Sequence, residues 1–537
     1  MTLSHRASLG SGAVNELRFQ VGQREYFEPT NSDELGIWYN SGVTLQTGSN
    51  ILGDLLGDGT LYELRDTFYW TASGGLGTHA MKAGLSVQRV EETSVIDLYE
   101  DGLLIYADAG LDPLVYVFGV GSSEVDVDTM IYGAFFQDDW KINDQFTLSL
   151  GLRYDYDSDG NNPDFTHPLV PNGRDVDDDN FQPRVSFTWD PRANGSTVIR
   201  GGAGLFSGRY LLVPSFTELQ QNGVTGRRLF SRVDFPPFFP LDPNNPANTG
   251  FLLAAADITL LDTDFRTPEA LQTSLGFTQR LGNTGLFLDV EAIYVDGDDE
   301  IIVRDTNWRG NANPGRINAA YGQINSYTNE GRSKYKALVV ALNGQLEGGH
   351  IITGSVTLSE KKNISDDFSP EFPFGYPSDP ADIEAEYADA RGNEDIRVVL
   401  SGVFRLPYDF TIAPIAEYGS GQPWNRLLGY DFNGDGKISD RAAGVSRNSE
   451  DGPSFKQVSV RVTKGFAIGD ARLELIAEAF NVFDWTNYDV SSIDNRELLL
   501  GPTLANPTVL PVANPTFGNY RATLPPREIQ LGVRYQF

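Results

Sequence analysis

The stretch "DFNGDGKISDR" at 431–441 sets oxygen-bearing side chains where a divalent cation needs them. Asp431, Asn433 and Asp435 stand at alternate positions, and Gly436 follows where a calcium loop turns sharply. Lys437 would offer its backbone carbonyl. A helix–loop–helix calcium loop closes with a bidentate Glu at its twelfth position. Here that position is Ala442, and Asp440, at the tenth, would take the role. Two readings stay open: a weak structural calcium loop, and a plain Asx-rich turn. Calcium is the one cofactor the sequence suggests.

No catalytic constellation accompanies it. The four histidines, His5, His79, His167 and His350, are scattered and lack metalloprotease or triad spacing. They read as solvated or strand-borne. Cysteine is absent, which removes disulfides, zinc ribbons and thiol nucleophiles. The chain is therefore expected not to be an enzyme. With 73 acidic against 41 basic residues the formal net charge is −32, the wrong sign for nucleic acid.

What, then, positions the loop? The segment "QFTLSLGLRYDYDS" (145–158) alternates strictly. Phe146, Leu148, Leu150, Leu152, Tyr154 and Tyr156 share one parity, and Thr147, Ser149, Gly151, Arg153, Asp155 and Asp157 the other. In a strand these are opposite faces. The same alternation runs through 183–190, 394–406, 456–465 and 527–537. Strands of about ten residues exceed the usual five or six of soluble sheets and match the 9–11 that cross a bilayer at a tilt.

The connections alternate too. Short turns at 73–77, 142–145, 190–195, 282–284, 347–349, 407–409 and 467–470 separate long segments. Those lie near 23–59, 93–127, 159–180, 210–264, 297–330, 362–393, 420–453 and 485–524. Soluble domains rarely carry so many long loops, whereas an outer-membrane barrel has short periplasmic turns and long extracellular loops. The fold class expected is all-β: a transmembrane antiparallel barrel with about 16–18 strands. No apolar run reaches the eighteen residues of a spanning helix, and "MTLSHRASLGSG" lacks a signal peptide's pattern. Strand-end aromatics such as Trp140, Tyr154, Tyr156, Trp189 and Tyr535 suit interfacial girdles. Arg153, Arg200, Arg461 and Arg534 fall on the lumen parity, where they line a pathway or pair with acids across strands. The acidic runs at 175–180 and 363–396 read as a solvated surface, with divalent bridging to lipopolysaccharide phosphates as the alternative.

Several phrases resemble TonB-dependent outer-membrane receptors. "YGAFFQDDWKINDQFTLSLGLRYDYDS" (132–158) and "NFQPRVSFTWDPRANGSTVIRGGAGLFSGRY" (180–210) look like successive hairpins of that barrel. "ARLELIAEAFNVFDWTNYD" (471–489) resembles its penultimate strand. The closing "LGVRYQF", with Tyr535 and Phe537, resembles the terminal signal read by the barrel-assembly machinery. The nearest subgroup is the Oar-like receptors, and the likeness runs from about residue 60 onward.

The resemblance implies a 22-stranded barrel, a plug, and uptake of a scarce or bulky nutrient driven through TonB. No signal peptide, TonB box, plug or carboxypeptidase-regulatory-like domain is legible in residues 1–537, so the chain is expected to be an N-terminally incomplete barrel. Without a plug it would not perform energised transport. TonB would partner only the full-length protein; outer-membrane lipid, lipopolysaccharide and the assembly machinery would partner this portion. A monomer in the bacterial outer membrane is expected. The alternative is a passive porin-like or structural, adhesive barrel.

Overall fold

The computed structural model describes residues 1–537 apart from 11, 40–44, 51, 107–112, 211, 233–254 and 368–375. Part of the acidic 363–396 segment thus lies outside the described residues. Among the described residues seventeen wall strands follow in chain order. They are β1 Thr2–Ser8, β2 Ala13–Glu28, β3 Leu55–Gly74, β4 Gly77–Ile96, β5 Val125–Lys141 and β6 Phe146–Asp157. Next come β7 Phe181–Trp189, β8 Thr197–Ser207, β9 Glu269–Arg280, β10 Leu286–Asp305, β11 Tyr321–Gln345 and β12 Ile351–Asn363. The last are β13 Ile396–Leu406, β14 Phe410–Gly419, β15 Phe455–Ile468, β16 Ala471–Phe480 and β17 Glu528–Gln536. Each pairs antiparallel with the next, from β1–β2 through β16–β17. The all-β antiparallel wall and its strand number agree with the sequence reading.

The register keeps one parity outward throughout. Leu150 faces Val185 and Val185 faces Ala203, while Ser149 faces Ser186 and Ser186 faces Gly202 on the inner side. The outward row is well exposed: Leu150 42 %, Leu152 49 %, Leu531 82 %. Such a surface is stable in hydrocarbon and costly in water. The turns are tight. In the three-residue turn 407–409, which joins the paired residues Leu406 and Phe410, Tyr408 and Asp409 both take φ 62°. At Gly285 (φ +78°) a Cβ would lie 2.1 Å from the Gln345 carbonyl oxygen, so only glycine fits.

One expectation needs correcting. The segment 297–330, read as loop, is strand at both ends, because β10 has 20 residues and β11 has 25. Both outrun a bilayer and carry their upper ends into an extracellular cap. There Ala256–Leu261 adds alongside β11 in parallel, Ile258 opposite Ile324 and Leu261 opposite Tyr327. The long loops are not simply polar. With the upper ends of β10 and β11 they form the buried apolar clusters, one of Tyr210, Leu261, Phe265 and Tyr327, and a second around Ile258, Leu260 and Ile324. Below the cap, among the described residues, the wall shows no such cluster. No helix among the described residues is long and apolar enough to cross a membrane.

Candidate functional site: the lumen and its extracellular cap

The inner face is a ladder of charge pairs. Arg200 reaches Asp289 (2.9 Å) and Glu291 (2.7 Å) two strands away. Arg153 pairs with Asp155 at 2.6 Å along its own strand. Arg461 faces Glu478 at 3.6 Å and Arg534 faces Glu474 at 3.4 Å. All four arginines lie on the inward parity and are paired. Missing side chains at Gly202 and Gly204 leave a recess of about 470 Å³ in this wall, bordered by Arg184, Gln272, Ser274 and Glu291.

Above the lumen, the connection after β8 folds inward. Its helix α1 (Leu212–Gln221) is almost wholly buried. Arg209 donates to Gln88 Oε1 at 3.1 Å, and Gln220 Nε2 to the Ser94 backbone carbonyl at 3.3 Å, both on the inner side of β4. Glu218 is the pivot. Its side chain and that of Arg174, from the loop after β6, are both fully buried. Arg174 forks onto Glu218 and also donates to the Asp262 and Leu261 carbonyls at 2.9 and 2.8 Å. Glu218 further accepts from the Leu261 amide (2.9 Å) and Asn162 Nδ2 (3.0 Å). Burial pushes the Glu218 carboxyl up, and Arg174 beside it counteracts the shift. Bidentate geometry with every oxygen satisfied is what lets an ion pair persist away from water.

The 431–440 loop lies in the same cap, without flanking helices. It joins three connections. Asn433 Nδ2 donates to Asn311 Oδ1 (2.9 Å) and the Ser378 carbonyl (3.1 Å). Arg316 donates to the Asp435 carbonyl at 2.8 Å, and Lys437 Nζ sits 3.9 Å from the Tyr376 ring centre. The carboxylates fold onto their own backbone. Asp431 accepts from the Gly434 and Gly436 amides, Asp435 from Lys437, and Asp440 from Phe432. Asp435 and Asp440 are 1 % and 2 % exposed. Burial, reinforced by mutual repulsion, pushes Asp435 up to about 7 and Asp440 up to about 8. Asp431 is raised as well. Among the described residues no three His, Cys, Asp or Glu side chains stand ready-grouped around a metal position.

His167 departs from the sequence reading. It is 4 % exposed in the cap, stacked on Phe165 at 6.4 Å, with Nδ1 accepting from the Leu169 amide. Burial lowers its pKa and keeps it neutral. Neither Arg174 nor Glu218 carried a sequence signal, since their partners lie 44 positions apart. Tyr535 and Phe537 end the outward row of β17, with ring centres 6.0 Å apart.

Comparison with known proteins places this geometry. A model described as outer membrane beta barrel domain matches residues 10–444. Among solved structures the chain is similar to the outer membrane transporter YddB from Escherichia coli (TM-score 0.63, 13 % identity). It is also similar to the siderophore receptor PirA from Acinetobacter baumannii (0.57, 13 %) and to FpvA of P. aeruginosa, solved bound to heterologous pyoverdines (0.55, 13 %). All of this chain is covered in each, against 62 %, 61 % and 55 % of those chains. The chain thus spans less than two thirds of the transporters whose fold it shares. No curated protein sequence matches it. With an outward apolar band, a charged lumen and a matching model over most of its length, the chain belongs to the outer-membrane β-barrel domain family and resides in the bacterial outer membrane.

Proposed function

We propose that this chain is the wall and extracellular cap of a TonB-dependent receptor that takes up a scarce or bulky solute, in the Oar-like subgroup. The observation that carries the reading is the wall itself. β1 and β17 each have one unpartnered edge among the described residues. Short turns and long loops alternate without exception, so both edge strands run toward the short-turn side. An antiparallel seal then takes up an odd number of further strands, since open edges do not survive in lipid. Five would give the 22 that the resemblance implies. In that closed wall the charged lumen and its recess receive a plug, and the cap meets solute and lipopolysaccharide outside. The wall is passive, and the plug couples it to TonB. Deleting the gene is expected to abolish growth on the limiting solute, and removing TonB from the parent strain should reproduce the defect. Growth that survives TonB removal, with ohmic conductance in planar bilayers, would mean a porin instead.

Tyr535 and Phe537 are proposed as the residues read by the barrel-assembly machinery. Removing Phe537 should cut the heat-modifiable, membrane-inserted form several-fold at unchanged synthesis, as read on unheated gels. An unchanged folded fraction would remove that role.

We also infer that Asp431, Asn433, Asp435, the Lys437 carbonyl and Asp440 hold a structural calcium ion. Two buried carboxylates and a half-buried third, which repel one another, support this reading. Binding would draw them partly off their own amides. Isothermal titration of the refolded barrel tests it, and equal heats from Asp435→Ala would end it.

A further inference from the structure

Three lysines meet where the apolar band of the wall ends. Lysine is scarce in this acidic chain, nine in 537 residues. Lys334 and Lys336 on β11 and Lys362 on β12 continue the outward rows that run below them through Val340 and Leu338 and through Val356 and Leu358. Leu338 and Leu358 are 41 % and 46 % exposed. Lys334 stands directly opposite Lys362 in the register. Counting residues gives their depth. β11 and β12 join at the short turn 347–349. Lys336 lies nine residues up β11 from Gln345, and Lys334 and Lys362 lie eleven residues up their strands. A strand tilted by about 40° climbs roughly 2.5 Å per residue, which puts the lysines ~23 and ~28 Å above the turn. The outward apolar band of such a wall is about 25 Å tall. The same tilt staggers neighbouring strands by only about 3 Å, so all three ammonium groups reach one headgroup layer.

Neighbouring acids do not consume these charges. Lys334 is 3.8 Å from Asp296, Lys336 3.8 Å from Glu360, and Lys362 3.5 Å from Glu360 and 3.6 Å from Asp389. Each separation exceeds the roughly 2.7–3.2 Å of an N–H···O bond, and the Lys336 side chain is 60 % exposed. Elsewhere the outward rows turn acidic above the band. On β3–β5 they carry Asp58, Glu91, Asp126 and Asp128, and Arg89 among them already holds Glu91 and Asp128 at 2.7 Å. In a chain of net charge −32 such a face repels phosphate, whereas exposed ammonium groups at headgroup depth attract it. A lysine at this level also lays its stem on the apolar band and holds its head in the interface. We propose that the outward face of β11–β12 seats a phosphorylated lipid of the outer leaflet. Its phosphates rest on Lys334, Lys336 and Lys362, and its acyl chains run down along Leu338 and Leu358. The flanking carboxylates keep the patch near neutral, so free phosphate gains little there, and the acyl chains supply the remaining affinity. The site rests on the outer-membrane wall and is independent of uptake through a plug.

The test uses the native protein, extracted from outer membranes in mild detergent and stripped of lipid, with native mass spectrometry as the readout. The probes are bis-phosphorylated lipid A, the same lipid with both phosphates removed, and inorganic phosphate. The phosphorylated lipid should be retained at least ten-fold better than the dephosphorylated one, and millimolar inorganic phosphate should not displace it. Lys334→Gln, Lys336→Gln and Lys362→Gln together should lower retention at least ten-fold with the heat-resistant folded barrel unchanged. Each change alone should lower it about three-fold, which keeps the site testable should the triple variant misfold. The corresponding triple change to Arg should retain the lipid, as should Lys464→Gln near the opposite, short-turn end of β15. Equal retention of the two lipids would overturn the proposal. So would undiminished binding by the glutamine variants, or displacement by inorganic phosphate, which would mark a soluble-anion site.

Discussion

Replacing Glu218 with Ala lowers the stability of the extracellular cap by about 3–5 kcal/mol, the usual cost of stranding one buried charge. Arg174 would keep its full charge with no exposed surface, holding only backbone carbonyls. Three segments lose a shared anchor at once: the loop after β6, helix α1 and the strand at 256–261. Hydrogen exchange should therefore accelerate together in 158–180, 212–227 and 256–265, while β10 to β13 stay protected. Replacing both partners with apolar residues, Arg174→Met with Glu218→Leu, should recover much of the loss, because the unpaired charge is gone. Equal destabilisation by the single and double changes would show that packing, not charge, holds the helix. The inner side of β4 should also feel the loss, since α1 touches it at Ser94.

Raising the pH loosens the cap around 431–440. Asp435 and Asp440 titrate in the folded state near 7 and 8, above the ordinary carboxylate range. A group whose folded pKa is raised binds its proton more tightly when folded. Its stabilising contribution is present at low pH and is lost as the pH climbs through the folded value. The window thus runs from about pH 4 to just above 8. For two such groups the loss is on the order of several kcal/mol. Protection of 426–441 against exchange should fall between pH 5 and 8.5. Millimolar calcium should flatten that slope if it is the missing counter-charge, and Asp435→Asn should flatten it without calcium. Protection that is independent of pH across this window would show that the carboxylates are solvated.

The wall was legible because its signal is local. Alternation along 145–158 requires only that each strand show one face to lipid and one to water, a period of two that any register preserves. The turn at 407–409 and the inward arginines followed from the same reading. Long strands defeated it at 297–330, where β10 and β11 leave the membrane and their outward rows turn polar at Asp296, Lys334 and Lys336. Once lipid no longer dictates the outer face, alternation stops marking the strand.

The sequence by itself determined the membrane environment, the strand class, the side of each arginine and the unusual loop at 431–440. Only the tertiary structure decided that the long loops share buried cores, that Arg174 finds Glu218, and that His167 is sealed from water. The reason is distance along the chain. A strand's faces are settled by neighbours two residues away, whereas contacts between residues 44 to 130 positions apart exist only after the wall has brought the loops to one mouth.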